Sequence, residues 1–352
     1  MKSNKDHTYD SLVTLTWKDN AVVLIDQTKL PGKLVYRTFR DYTDVAKAIK
    51  KLMVRGAPAI GVAGAMGLAL ACTKSKASNK SDLIIELQHA YDVLRLTRPT
   101  AINLLWALER IMKISRKGQN VKEIQQKVVQ EVLKMAEEDV EINRRMGKIG
   151  SGLFRDGETV MTHCNAGSLA TVGYGTALGV IRAVKESGKS IKVIATETRP
   201  VMQGSRLTAF ELQHDGIDVS LVPDTGVGIL MARGDVKRII VGADRILRTG
   251  HVFNKIGTYQ IAILAGAHKI PFYVAAPLST FDLKSNVEEV VIEERDSNEV
   301  STLAGKRIVP RGINIFNPAF DLTPPHLITA IITEKGLLKQ PLYKAIRNVF
   351  RG

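Results

Sequence analysis

Between residues 12 and 40, apolar and polar positions alternate in three short runs, LVTLTW, AVVLID and KLVYRTF. A period of two in β-branched sequence predicts half-buried strands. Lys18-Asp19-Asn20 and Pro31-Gly32 supply the turns of an antiparallel set. From Tyr42 the period lengthens, and Val45, Ile49, Leu52 and Met53 fall on one face of a helix over 44–53. Arg55-Gly56-Ala57-Pro58-Ala59-Ile60-Gly61 interrupts it, and 62–71 resumes as a helix of small residues suited to close packing. Ser81 is placed to cap a helix over 82–96, and Pro99 to sit in the first turn of another over 101–114. A long, charged, amphipathic helix over 121–149 leaves this part of the chain.

From Thr159 the pattern becomes strand, then helix, repeatedly. VMTHC precedes a helix over 172–187, KVIAT one over 204–215, DVSLVP one over 226–233, and RIIVGA one over 257–268. PFYVAAP is a further buried strand. Continuous apolar strands separated by helices argue for a parallel sheet covered on both faces. The predicted class is α/β. A Rossmann-like, mostly parallel sheet covered by helices occupies 149–352, and a smaller domain of short antiparallel strands and helices occupies 1–148. The change is placed where Gly147, Gly150 and Gly152 cluster.

At 352 residues the chain is long enough for two such units. Its net charge of +15 raises the question of nucleic acid. Acidic residues interleave with the basic ones, however, and no aromatic ladder accompanies them, so we expect a solvated surface and no nucleic-acid site. A basic field also helps gather a phosphorylated small molecule. The first residues lack the apolar core of a signal peptide. The apolar run 57–72 is too short and glycine-rich for a membrane span. Two cysteines, Cys72 and Cys164, far apart, suit a reducing compartment. The expectation is a cytoplasmic protein with no membrane partner.

The strand ends are polar where packing does not require it. They read His163-Cys164-Asn165, Glu197-Thr198-Arg199-Pro200 with Gln203-Gly204, Asp224-Thr225-Gly226, Gly242-Ala243-Asp244-Arg245 and Pro277-Leu278-Ser279-Thr280; Asn254-Lys255-Ile256-Gly257 lies in a later loop. In a parallel sheet such ends share one edge and can surround one ligand. The helix start after Cys164 would favour an anion and a thiolate. Plainer roles exist for each: Cys164 as a small core residue, Asp244 as a cap or partner of Arg245, and 254–257 as an ordinary turn. No G-x-G-x-x-G follows a strand, and no His/Cys group has metal spacing.

At this point the residues resemble the S-methyl-5-thioribose-1-phosphate isomerases over nearly the whole chain. The motifs are Arg55 to Gly61, Leu96-Thr97-Arg98-Pro99-Thr100, Thr162 to Gly167, Glu197 to Pro200 with Gln203-Gly204, Val241 to Arg245, Asn254 to Thr258, Pro271 to Pro277, Ile292 to Arg295 and Phe316 to Asp321. The resemblance implies isomerisation of a small phosphorylated sugar from aldose to ketose, in methionine salvage, by a homodimer that needs no metal or organic cofactor. It implies that Asp244 is the catalytic acid and Cys164 the second catalytic group. It assigns substrate contacts to Arg55, Gly56, Ala57, Arg98, Gln203, Asn254 and Lys255. Wider relatives include ribose-1,5-bisphosphate isomerases and regulatory subunits of the translation-initiation exchange factor, and the latter lack the paired Cys and Asp. After Asp224 this chain reads Thr225-Gly226-Val227, where the isomerases commonly carry a methionine. That departure makes 5-deoxyribose 1-phosphate the alternative substrate; a regulatory subunit is the other alternative.

Overall fold

The computed structural model describes residues 12–98 and 101–351. Pro99 and most of the leading polar segment lie outside them. Strands Leu15–Lys18 (β1), Ala21–Ile25 (β2) and Tyr36–Phe39 (β3) form the expected antiparallel sheet. Helices Tyr42–Lys50 (α1), Ala57–Lys74 (α2), Lys80–Arg95 (α3) and Ile102–Lys117 (α4) follow. Helix α2 is the centre of this part. It is long and apolar enough to cross a membrane, with mean hydropathy 1.3, yet 78% of it is buried within the protein. Its glycines explain how. A Cβ on Gly61 would lie 2.8 Å from the Asn103 carbonyl oxygen, and one on Gly64 2.3 Å from a Leu104 methyl. Only hydrogen at these positions lets α4 pack so closely. Helix α3 begins earlier than expected, because Asn79 rather than Ser81 caps it: its side chain accepts from the Asp82 N–H.

Helix α5 (Val121–Ser151) runs 31 residues without a break and passes through the expected boundary at 148. Ile124, Val128, Val132 and Met135 pack into the core around α2, whereas Met146 packs into the core under the large sheet.

Beyond α5 come Glu158–Thr162 (β4), Ala177–Glu186 (α6), Ile191–Thr196 (β5), Ala209–His214 (α7), Asp218–Val222 (β6), Val227–Ala232 (α8) and Arg238–Val241 (β7). Arg245–Leu247 (β8), Val252–Lys255 (β9), Thr258–Ala267 (α9), Phe272–Ala275 (β10) and Phe281–Asp282 (β11) continue the chain. It closes with Asn298–Ser301 (α10), Thr302–Leu303 (β12), Lys306–Arg307 (β13), Phe320–Thr323 (β14), Ala330–Thr333 (β15), Gly336–Lys339 (β16) and Leu342–Val349 (α11).

The large sheet has the order β16-β15-β10-β7-β4-β5-β6. Six strands are parallel, and β16 returns antiparallel beside β15. Alternate residues serve opposite faces: Ile239 and Val241 of β7 join one apolar cluster, Ile240 the other. The chain starts at β4, winds outward through β5 and β6, then crosses back to β7 on the other side of β4. That reversal is a switch point, where an α/β sheet leaves a crevice beyond its strand ends. Cys164 follows β4 and Asp244 follows β7, so the two flank that crevice.

Two features were not anticipated. A four-stranded sheet, β11-β8-β9-β14, takes in Asn254 and Lys255, expected in a loop, with β9 paired antiparallel to β14 so that Lys255 faces Phe320 in register. The helix expected from 172 starts only at Ala177. The preceding residues fold back, with Tyr174 and Gly175 at φ 70° and 87°. Gly175 packs against Gly167, where a Cβ would meet backbone at 2.4 Å.

Candidate active site

Cys164 leaves β4 in the left-handed region, at φ 60°. That conformation costs a non-glycine residue about 1–3 kcal/mol unless its surroundings hold it. Here two threonines do. The Cys164 N–H donates to Thr198 Oγ1 at 2.9 Å, and Thr208 Oγ1 donates to the Cys164 carbonyl at 2.6 Å. Asp244 is set by its own backbone, whose N–H donates to the Phe253 carbonyl at 2.9 Å.

Arg55, Gly56, Ala57, Arg98, Cys164, Gln203, Asp244, Asn254 and Lys255 all line one cavity of about 70 Å³. Arg55, Gly56 and Ala57 arrive from the start of α2, and Arg98 from beyond the end of α3. Gln203 lies past β5, and Asn254 and Lys255 end β9. His163, Arg295 and Phe320 line the cavity too, with no role assigned from sequence. The strand end at Asp224 does not reach it. The Asp224 carboxylate instead accepts the N–H groups of Thr198 and Arg199, at 2.8 and 2.6 Å, and so shapes the loop beside Cys164. Thr225, Gly226 and Val227 are also absent from the lining. The departure from the isomerase pattern is therefore not a cavity contact.

The cavity walls are charged and largely shielded from water. Burial pushes the Asp244 carboxyl above the usual carboxylate range, against the pull of Lys255, Arg98 and Arg55. Burial likewise raises the Cys164 thiol, opposed by Arg55 and Lys255. Lys255 is buried, and burial lowers its ammonium while Cys164 and Asp244 act to raise it. Its Nζ donates to the Ala319 carbonyl at 2.9 Å and stands 4.6 Å from the centre of the Phe320 ring. Arg98 is paired with Glu293 at 2.9 Å. Gln203 is buried, and its Oε1 has no partner among the described residues. A buried acceptor of that kind costs free energy until something donates to it.

His163 is no acid or base here. Its Nε2 lies 2.8 Å from the Ile256 carbonyl, which can only accept, so Nε2 carries the proton. Nδ1 then accepts from Thr196 Oγ1 at 2.6 Å, and burial lowers its pKa, keeping the ring neutral.

Two helix starts near the cavity are already filled. After Cys164, the N–H groups of Ser168 and Leu169 donate to the Glu211 carboxylate at 2.7 and 3.1 Å. The expected anion seat at this turn is thus occupied by the protein itself. Glu211 also accepts from Asn165 Nδ2 at 2.8 Å and from the buried Arg182 at 2.8 Å. Asn165 in turn holds Arg55, accepting two of its N–H groups at 3.0 and 2.7 Å. At the start of α9, Gly257 and Tyr259 donate to Asp321 at 2.7 and 3.1 Å. The start of α2 is different. Gly56 stands at φ 95°, no side chain caps the helix, and its first residues line the cavity beside Arg55. This helix start is open to an anion.

Arg245 pairs with Asp282 at 3.4 Å. Cys164 keeps some surface on the cavity, unlike Cys72, which is wholly buried.

Residues 53–340 match the initiation factor 2 subunit family (IF-2B). The methylthioribose-1-phosphate isomerase of Fervidobacterium nodosum is 50% identical over 341 residues, covering 96% of this chain and 97% of its own. The solved 5-methylthioribose 1-phosphate isomerase of Pyrococcus horikoshii superposes with a TM-score of 0.88 at 44% identity, over 96% of this chain and 95% of that one. A chain solved as translation initiation factor eIF-2B, subunit delta, from A. fulgidus gives 0.85 at 50% identity, over 96% and 100%. On this agreement of sequence, fold and length, the chain belongs to the initiation factor 2 subunit family and, within it, groups with the methylthioribose-1-phosphate isomerases.

Proposed function

We propose that this protein converts S-methyl-5-thio-α-D-ribose 1-phosphate to S-methyl-5-thio-D-ribulose 1-phosphate, a step of methionine salvage. The observation that carries the proposal is the pairing of Cys164 and Asp244 across the switch point, in one cation-rich cavity. Relatives about half identical over nearly full length are named for this reaction. Arg55 and Arg98, from within 1–148, meet residues of 149–352 at the cavity. We therefore treat these as two cooperating units whose approach excludes water.

The chemistry must open a ring locked by its anomeric phosphate. The phosphate takes the open start of α2 with Arg55, where donors and positive charge coincide. Asp244, its pKa raised by burial, gives its proton to the ring oxygen as the bond from that oxygen to C1 breaks. The electron pair of the bond stays on the oxygen, which becomes the C4 hydroxyl. The hydrogen on C2 then moves to C1, and the C2 hydroxyl loses its proton to the Asp244 carboxylate, leaving the ketone and restoring the acid. A Cys164 thiolate would carry the C2 hydrogen as a proton through an enediol. Burial favours the neutral thiol, and with it direct transfer of the hydrogen as hydride. Arg98, Gln203, Asn254 and Lys255 are assigned to the sugar hydroxyls and phosphate.

The scheme uses no metal or organic cofactor, and the resemblance supports a cytoplasmic homodimer. Light scattering of the purified protein tests the dimer. The function is tested by a coupled assay for ketose formation on the 5-methylthio sugar phosphate. Substrate deuterated at C2 should keep its label at C1 in ordinary water. Washout of the label would reject hydride transfer, and absence of turnover would reject the isomerase. The regulatory-subunit reading draws on the A. fulgidus chain. It requires binding without turnover, and the same assay decides it.

A further inference from the structure

A cavity of about 390 Å³ lies along the seam of the two units, within the range of about 300–1,000 Å³ common for small-molecule sites. Trp106 of α4 and Asp139 of α5 reach it from within 1–148, and Ser279, Glu334 and Phe350 from within 149–352. Pro58 and Pro277 line this cavity and the catalytic one alike, so the two are neighbours. None of the residues assigned to the isomerisation takes part in it.

Its chemistry is the reverse of the catalytic cavity's. One cation, Arg110, and three carboxylates, Glu138, Asp139 and Glu334, line it, in a chain whose net charge is +15. Arg110 is already engaged: its Nε and Nη1 donate to Glu131 and Glu138 at 2.5 and 2.7 Å. Asp139 and Glu334 form no ion pair among the described residues. Both donors to Asp139, the Val172 N–H and Asn143 Nδ2, meet Oδ2, and Oδ1 accepts no hydrogen bond among the described residues. Glu334 accepts the Leu278 N–H at 3.1 Å. Asn103 is 2% exposed and donates from Nδ2 to Ser279 Oγ at 3.1 Å, while its Oδ1 has no partner among the described residues. A buried acceptor in that state costs free energy until a donor arrives. Trp106 and Phe350 add aromatic surface, which attracts a cation as well as an apolar stem.

We propose that this cavity binds a small organic ammonium ion, its charge directed to the acceptors of Asp139, Glu334 and Asn103 and its apolar stem to Trp106 and Phe350. The carboxylates repel an anion, and a neutral alcohol lacks the charge that strengthens each hydrogen bond to them. Burial pushes Asp139 up to about 7 and Glu334 above the usual carboxylate range, and a cation in the cavity opposes both shifts. Because the walls come from both units, the bound cation bridges them. The inference is independent of the isomerase reading.

The probe is 2-phenylethylammonium, titrated calorimetrically into the full chain beside its uncharged analogue 2-phenylethanol and the anion 3-phenylpropanoate. The amine should bind about tenfold or more tighter than the alcohol, and the anion should not bind. Inorganic phosphate, which fits the cation-rich catalytic cavity, should not compete with it. Glu334→Gln should weaken the amine about tenfold and leave the alcohol unchanged. Trp106→Ala, at a residue 40% exposed, should weaken the amine about threefold or more, with circular dichroism confirming the fold of both variants. Equal affinity for amine and alcohol, competition by phosphate, or amine binding that both folded variants leave intact would each overturn the proposal. So would the absence of binding at about 10 mM amine, ten times a Kd of about 1 mM.

Discussion

Replacing Glu211 with glutamine tests whether the turn at Cys164 is sealed by the protein's own carboxylate. Glu211 is fully buried on α7, and its two oxygens accept from the Ser168 and Leu169 backbones, from Asn165 and from Arg182. Glu211→Gln preserves size but turns one acceptor into a donor that faces donors. Each buried donor left without an acceptor costs about 1–3 kcal/mol. Arg182 keeps Asp215 at 2.6 Å, so its charge is not abandoned. A net loss of about 3–5 kcal/mol follows, the range for breaking a buried pair. At about 2.1 cal/mol/K per residue, a loss of about 4 kcal/mol in a chain of 352 residues lowers Tm by about 5 °C. Activity should suffer as well, because Asn165 loses one of the two acceptors that hold its amide while its oxygens hold Arg55. Misplacing a substrate-binding group costs about 10- to 100-fold in kcat/KM. Differential scanning fluorimetry and the ketose assay read the two effects. A variant with Tm within about 1 °C and kcat/KM within about threefold of the parent would refute the argument.

Asp244→Asn and Cys164→Ser should each lower kcat by about 10²–10⁴-fold while leaving Tm nearly unchanged; intact activity in both would remove them from the chemistry. With Asp244 acting in its protonated form, kcat should fall as pH rises through its elevated pKa, and a rate that climbs across the alkaline range would contradict this role. Asp139 gives a stability prediction. Burial pushes its pKa up to about 7, although its carboxylate accepts from Val172 N–H and Asn143. The folded state then binds this proton more tightly than the unfolded chain, so its contribution is full below about pH 4 and is lost as pH rises toward 7. Asp139→Asn should flatten that fall in Tm, and an identical slope in the variant would count against it. Gly56→Ala places a Cβ 2.5 Å from Ala170 at a φ of 95° and should cost about 1–3 kcal/mol together with phosphate affinity, read from Tm and KM.

The strand and helix alternation was legible because a parallel sheet buried on both faces leaves continuous apolar runs, as in RIIVGA and PFYVAAP. The cavity residues were legible partly as polar strand ends and partly through resemblance, which is what singled out Arg55 and Arg98. Other features were hidden for physical reasons. Glu211 reaches the Cys164 turn across more than 40 residues, and nothing local in FELQH marks it as a buried acceptor. Asp224 looks like any polar strand end, yet it binds backbone rather than facing the cavity. The helix starts later than expected because the tight packing of Gly175 on Gly167 holds the residues before Ala177 in a fold-back that no local period marks. Strands β8 and β9 form a short local hairpin and β14 joins it across a large sequence separation, and none is long enough for a period to reveal it.

The helix starts sealed by Glu211 and Asp321 also bear on which sugars the fold refuses. For the phosphate of a pentose both of these donor sites are closed, since each already holds a carboxylate. Internal carboxylates that stabilise two loops thus also close two donor sites to the ligand's phosphate, an exclusion achieved by occupancy rather than by steric bulk.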